Sequence, residues 1–185
     1  MILYKNVDIC DLENIIDKGL LSLNKSNNDN WDEDKRVNNS CDVVYLFQSL
    51  IEQNSFCQYG AALLEIDIPD NIVQENIIDD NDVNKDKYIE YITEYVNPDM
   101  IINIYIPRIF KNYIELSETV ANRVSWCDFQ ANYYTLNYEK VDAPADVLEQ
   151  FAKTAKITDS SEFNFFRGKT EKRAIIDLYN IRYLF

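Results

Sequence analysis

The sequence predicts an α+β domain in which short strands fill the first half and helices close the second. Runs rich in β-branched and aromatic residues recur at 43–47, 62–68, 87–93 and 101–106, each bounded by polar or proline-containing segments. Apolar residues at helical spacing follow the opening strand and return after residue 115. Apolar residues make up 46% of the chain and aromatics 13%, and a chain of this length buries roughly 70% of its unfolded surface, enough for a sizeable core despite the charge.

Met1 to Tyr4 reads as the opening strand. Asp8 caps a helix in which Leu12, Ile15, Ile16, Gly19 and Leu20 fall at helical spacing, with Gly19 at its left-handed C-terminal position. Residues 24–40, rich in Asn, Asp and Ser around Trp31, are too polar for a core element and read as a long functional or mobile loop. The strands VVYLF, ALLEIDI, KYIEYIT and IINIYI come next. Pro69, Pro98 and Pro107 stand at strand ends or turns, where a missing amide donor does no harm. Beyond Phe110, helical spacing at 115–123, 145–156 and 170–184 predicts packing helices, the second with Pro144 near its first turn. The expectation is a core over 1–110 and a mostly helical part over 111–185 packed on the same domain.

Thirty-two acidic residues against 18 basic give a net charge of −14, spread along the chain. Such a surface repels a phosphate backbone, which disfavours nucleic acid as a partner. It suits a protein kept soluble by charge, or one that occupies a basic surface on a partner. The four cysteines, Cys10, Cys41, Cys57 and Cys127, form no CxxC pair, and there is no histidine. A Cys/His zinc site is thereby excluded, no metal is expected, and Ser-His-Asp or Cys-His catalysis cannot be built. Acid–base work falls to Asp, Glu, Tyr or Lys. With three glycines the chain carries no P-loop or dinucleotide fingerprint. Met1 leads through a short apolar run to Lys5, Asp8 and Asp11, unlike a signal peptide, and no apolar stretch approaches the roughly 20 residues of a membrane span. A cytoplasmic protein with reduced thiols and no membrane contact is expected.

Glu90 is the most informative carboxylate. In KYIEYIT, on a strand expected to be central, alternation puts Tyr88, Glu90 and Ile92 on one face and Ile89, Tyr91 and Thr93 on the other. Glu is depleted from strands and costly to bury unpaired, so it marks either an exposed edge or a site that uses it. Trp126, Cys127, Phe129, Tyr133 and Tyr134 form an aromatic stretch suited to a core or to a recognition surface.

The order of parts over the first 110 residues resembles the ADP-ribosyltransferase fold, in the branch of the DarT-type transferases and the RNA 2′-phosphotransferases. The residues carrying the likeness are ILYKNV, then DLENIIDKGLL at 11–21, the Tyr45-bearing strand DVVYLF, the Glu-bearing YIEY, and PDMIINIYIP at 98–107. The resemblance implies a split, mainly antiparallel β structure with flanking helices and NAD as substrate. It implies that Glu90 bonds the ribose 2′-hydroxyl and stabilises an oxocarbenium-like sugar, the type of charge that carboxylates stabilise in glycosidases. Tyr45 would stack on the nicotinamide, and Tyr4 would join it in contacting the cofactor. Lys5 takes the place of the family's first-strand His, and Arg36, with Lys35 beside it, would meet the pyrophosphate. The segment 79–87 corresponds to the acceptor-contacting loop. Tyr88, where arginine-modifying members carry Gln or Glu, argues against an arginine acceptor. The implied activity is transfer of ADP-ribose to a protein by a bacterial or phage toxin or anti-defence factor. A catalytically silent acidic protein occupying a basic partner surface is the alternative.

Overall fold

The computed structural model describes residues 1–26, 42–49, 54–55, 62–77, 80, 86, 88–127, 129–134, 140–142 and 173–178. The described chain is mixed α/β, mostly strands in one large sheet, with few helices.

That sheet has seven strands. In chain order they are β1 (Ile2–Val7), β3 (Val44–Ser49), β5 (Ala62–Asp67), β6 (Gln74–Asn76), β7 (Tyr88–Thr93), β9 (Ile101–Pro107) and β10 (Val124–Cys127). In space the order is β10-β9-β5-β1-β3-β7-β6, antiparallel throughout except for the parallel pair of β9 with β10. Between these strands lie β2 (Leu20–Leu21) and β8 (Tyr95–Val96), which pair with each other, and β4 (Asn54–Ser55). The short helix α2 (Leu23–Ser26) takes up the start of the segment read as a loop at 24–40, the rest of which lies outside the described residues. β4 belongs to a four-stranded sheet with β11 (Phe129–Tyr134), β12 (Lys140–Asp142) and β13 (Arg173–Leu178).

One face of the large sheet carries the main core. Leu3 and Val7 of β1, Val44 and Leu46 of β3, Leu64 and Ile66 of β5, and Ile104 and Ile106 of β9 project to it. They pack against Leu12, Ile15 and Ile16 of helix α1 (Leu12–Lys18), together with Phe110 and with Val120 of the single helical turn α3 (Glu118–Ala121). The stretch Ala62–Leu64 is buried without interruption, as a strand covered on both faces requires. Leu64 is fully buried, so Leu64→Ala is expected to cost about 3 kcal/mol through lost transfer energy and a residual cavity. A fall in the urea midpoint at unchanged slope measures this.

Helix ends are tied by side chains. Ser117 caps α3 through its hydroxyl, which accepts from the Val120 amide at 3.3 Å. The Ser117 amide and hydroxyl donate in turn to the two carboxylate oxygens of Glu13 on α1, at 2.9 and 2.7 Å. Asp8, expected to cap α1, instead precedes a 3-10 turn over Ile9–Asp11 and makes no side-chain capping bond there.

Several expectations are corrected. The helix read at 170–184 is a strand where it is described, because Arg173–Leu178 pairs antiparallel with β11 and its Ala-Ile-Ile run fits a pleat as well as a helix face. The nine-residue helix at 115–123 shortens to one turn, after which the chain enters β10 and extends the main sheet. The part beyond residue 110 is therefore strand-rich, not mostly helical, among the described residues. The helix read at 145–156 lies outside them. No helix among the described residues is long and apolar enough to cross a membrane.

Candidate functional site on the second sheet face

Residues directly opposite one another in a sheet share a face. The registers Glu65↔Asn103, Tyr4↔Glu65, Tyr4↔Phe47, Phe47↔Glu90 and Asn76↔Glu90 therefore place Asn103, Glu65, Tyr4, Phe47, Glu90 and Asn76 in one row across six strands. This row lies on the face opposite α1. Among the described residues, Tyr4, Leu63 and Cys127 form a small buried cluster there with Phe47 and Tyr105 packed against it.

Glu90 stands next to the end of the row, on the sixth of the seven strands, with Asn76 outside it. It is half-buried and one strand in from the edge, so it occupies neither the sheet centre nor an open edge. Its Oε1 accepts a hydrogen bond from Asn76 Nδ2 at 2.5 Å. Beside it Phe47 makes tilted ring contacts to Tyr88, at 5.8 Å between centroids, and to Tyr4, at 6.2 Å. Tyr4 is buried, while Phe47 and Tyr88 are half-buried beside the carboxylate and offer the kind of aromatic surface on which a sugar or heterocycle packs. Tyr45 lies on the same face opposite Ile92 and so stands diagonally from Glu90, within reach of a long side chain.

A second polar group occupies the opposite end of the row. Tyr105 Oη donates to Glu65 Oε2 at 2.5 Å, and Ser125 Oγ donates to Asn103 Oδ1 at 2.9 Å. Burial, reinforced by the Glu65 charge, holds the Tyr4 hydroxyl proton well above the ordinary tyrosine range. Burial does the same for Tyr105, with its hydrogen bond to Glu65 adding to the effect. Both phenols are therefore fixed as neutral groups at physiological pH. Three strand spacings separate Glu65 from Glu90, about 14 Å, well beyond the roughly 5–9.5 Å of paired glycosidase carboxylates. Glu90 and Glu65 do not form an acid–base dyad.

Of the residues singled out in the sequence, Glu90, Tyr45 and Tyr4 come together on this face. Lys5 does not. It pairs with Leu64, on the core face, and its Nζ donates to the Tyr45 carbonyl at 3.1 Å. The register leaves Tyr4, only 2% exposed, as the β1 side chain in the Glu90 row. Arg36, Lys35 and most of the segment 79–87 lie outside the described residues. Cys127 is buried and Trp126 is partly buried against the main core, which places both in packing roles.

Two members of the site were missed in the sequence. Phe47 was legible, since alternation puts it on the face of Tyr45. Asn76 gave no signal, because Gln-Glu-Asn is too short and polar to read as a strand.

In the turn from β1 to α1, Asp8, Cys10 and Asp11 hold three potential ligand atoms within 4.8 Å of one another. Burial and then the two neighbouring carboxylates push the Cys10 thiol up to about 12 from an ordinary 9.0. At pH 7.5 this leaves about a thousandth of the thiolate of an ordinary cysteine, partly offset by the greater nucleophilicity of the more basic sulfur. Alkylation of Cys10 by iodoacetamide is expected to run roughly thirtyfold slower in the folded chain than in urea. Peptide mass spectrometry over a time course measures the ratio.

Comparisons with family models, with curated proteins and with solved structures give no match to this chain.

Proposed function

We propose that this chain is an NAD-dependent mono-ADP-ribosyltransferase that modifies a protein, in the setting of a bacterial or phage toxin or anti-defence factor, with the split-sheet ADP-ribosyltransferase arrangement as its fold. The observation that carries the reading is the row on the second sheet face. A single strand-borne carboxylate, Glu90, sits beside the half-buried rings of Phe47 and Tyr88, with Tyr4 buried against Phe47 and Tyr45 diagonal to Glu90.

That arrangement suits cleavage of a nicotinamide–ribose bond. The transition state gathers positive charge on the sugar, and one fixed carboxylate at the 2′-hydroxyl stabilises it. The distance to Glu65 supports this reading over a two-carboxylate glycosidase. Aromatic faces then hold the nicotinamide and ribose in place, which lowers the entropic cost of reaching the reactive geometry. Incubation of the purified protein with labelled NAD and host lysate tests the proposal. A labelled protein band is expected, and a protein that neither binds nor consumes NAD would defeat the proposal.

Lys5 favours a second reading. Its side chain lies on the core face, so the family's first-strand histidine has no counterpart beside Glu90. A catalytically silent protein would keep the fold and use its −14 charge to occupy a basic surface on a partner. Partner affinity that falls steeply with salt and survives Glu90→Gln supports this alternative, and NAD turnover excludes it.

A further inference from the structure

We propose that Asn76 is a positioning residue for Glu90, and that the edge strand β6 exists in part to deliver it. This rests on the transferase reading for its catalytic meaning, although the contact itself does not.

Asn76 and Glu90 are direct cross-strand partners, both of types depleted from strands, and the amide donates to the carboxylate. A neutral donor to an ionised acceptor is a strong, short hydrogen bond. It fixes the rotation of the Glu90 carboxylate plane, the coordinate that would aim an oxygen at a ribose hydroxyl. It also favours the charged form that an oxocarbenium-like sugar requires.

β6 is otherwise poorly suited to packing. Gln74 and Glu75 are exposed, Asn76 is half-buried, and Ile77 beyond them is 91% exposed. The strand is held by pairing with β7 and by Thr93 Oγ1, which donates to the Ile72 carbonyl at 2.9 Å. Among the described residues, the titratable side chains sharing the Glu90 face include Tyr88 on its own strand, Tyr45 on β3 and, further along the row, Tyr4 on β1 and Glu65 on β5. Glu75 of β6 pairs with Tyr91 and so projects to the other face. No described cation on these three strands shares that face, and the Asn76 amide is a neutral donor to Glu90 on a chain with excess negative charge.

The test is a carboxyl-carbon NMR titration of protein labelled at glutamate, with the Glu90 signal assigned by its loss in Glu90→Gln. Asn76→Ala is expected to move the Glu90 midpoint upward by about one pH unit. Asn76→Asp, nearly isosteric but charged, is expected to move it further by like-charge repulsion. Should the alanine variant loosen β6, the aspartate variant decides. An unmoved midpoint in the folded aspartate variant overturns the proposal. The acid limb of any NAD consumption should rise with the midpoint. A midpoint that moves in a protein without NAD turnover leaves the contact standing and removes only the transferase reading. Turnover with an unmoved midpoint removes the positioning role alone.

Discussion

Gly19→Ala is expected to destabilise the fold by about 3 kcal/mol or more. Helix α1 ends with the Gly19 amide donating to the Ile15 carbonyl at 2.8 Å, and the chain then turns directly into β2 against β8. Gly19 makes that turn at φ +83°, where an L side chain costs about 1–2 kcal/mol. Its ψ of −177° takes it outside the left-handed helical region expected from the sequence, so close approach adds to conformation as a reason for glycine. A Cβ at this position would lie 2.1 Å from the Val96 carbonyl oxygen and 2.8 Å from Tyr95 Oη. The first neighbour is backbone of the paired strand and cannot swing aside. The second donates to the Lys18 carbonyl at 2.9 Å and helps to satisfy the end of α1. Relief requires β8 to shift, which disturbs the small sheet and the seat of buried Val96 at a further cost of about 1–3 kcal/mol. Urea unfolding of Gly19→Ala beside Lys18→Ala isolates the effect. A difference below about 1 kcal/mol between the two would show that the approach is not as close as described.

On the transferase proposal, Glu90→Gln is expected to lose roughly 10²–10³-fold in NAD consumption with little change in thermal midpoint, a size typical of removing one group that stabilises transition-state charge. Glutamine keeps the length and shape of the side chain, and its carbonyl can still accept from Asn76 Nδ2. Only the negative charge is lost. Because that charge opposes the cationic sugar in the transition state more than in the ground state, the loss belongs in kcat more than in KM. Turnover within tenfold of the wild type would remove Glu90 from the chemistry.

The strands were legible wherever a buried face imposes a pattern. ALLEID and INIYIP carry continuous or alternating apolar residues because β5 and β9 lie inside the sheet, and α1 shows its core stripe at Leu12, Ile15 and Ile16. Legibility fails where pairing rather than burial defines the element. β6 is Gln-Glu-Asn on an edge, and β2 and β8 are two residues each. Arg173–Leu178 is ambiguous in isolation and takes its extended form with β11 as partner.

The site divides in the same way. Alternation alone grouped Tyr88 with Glu90, and would have grouped Phe47 with Tyr45. Which face of β1 turns toward Glu90 depends on register with two distant strands, and that register selects Tyr4 and sends Lys5 to the other side.

The position of β1 also bears on how the chain folds. It lies between β3 and β5, with Tyr4 opposite Phe47 on one side and Glu65 on the other, so neither of its ladders is a local hairpin. The middle of the sheet cannot form until residues about sixty positions apart have met, and the entropy of closing those loops must be met before burial gives any return. Such a topology folds on a scale of milliseconds to seconds. Until β5 is made, β1 has at least one edge unpaired, and in a crowded cell that interval is when a chaperone, or another copy of the same chain, can compete for it.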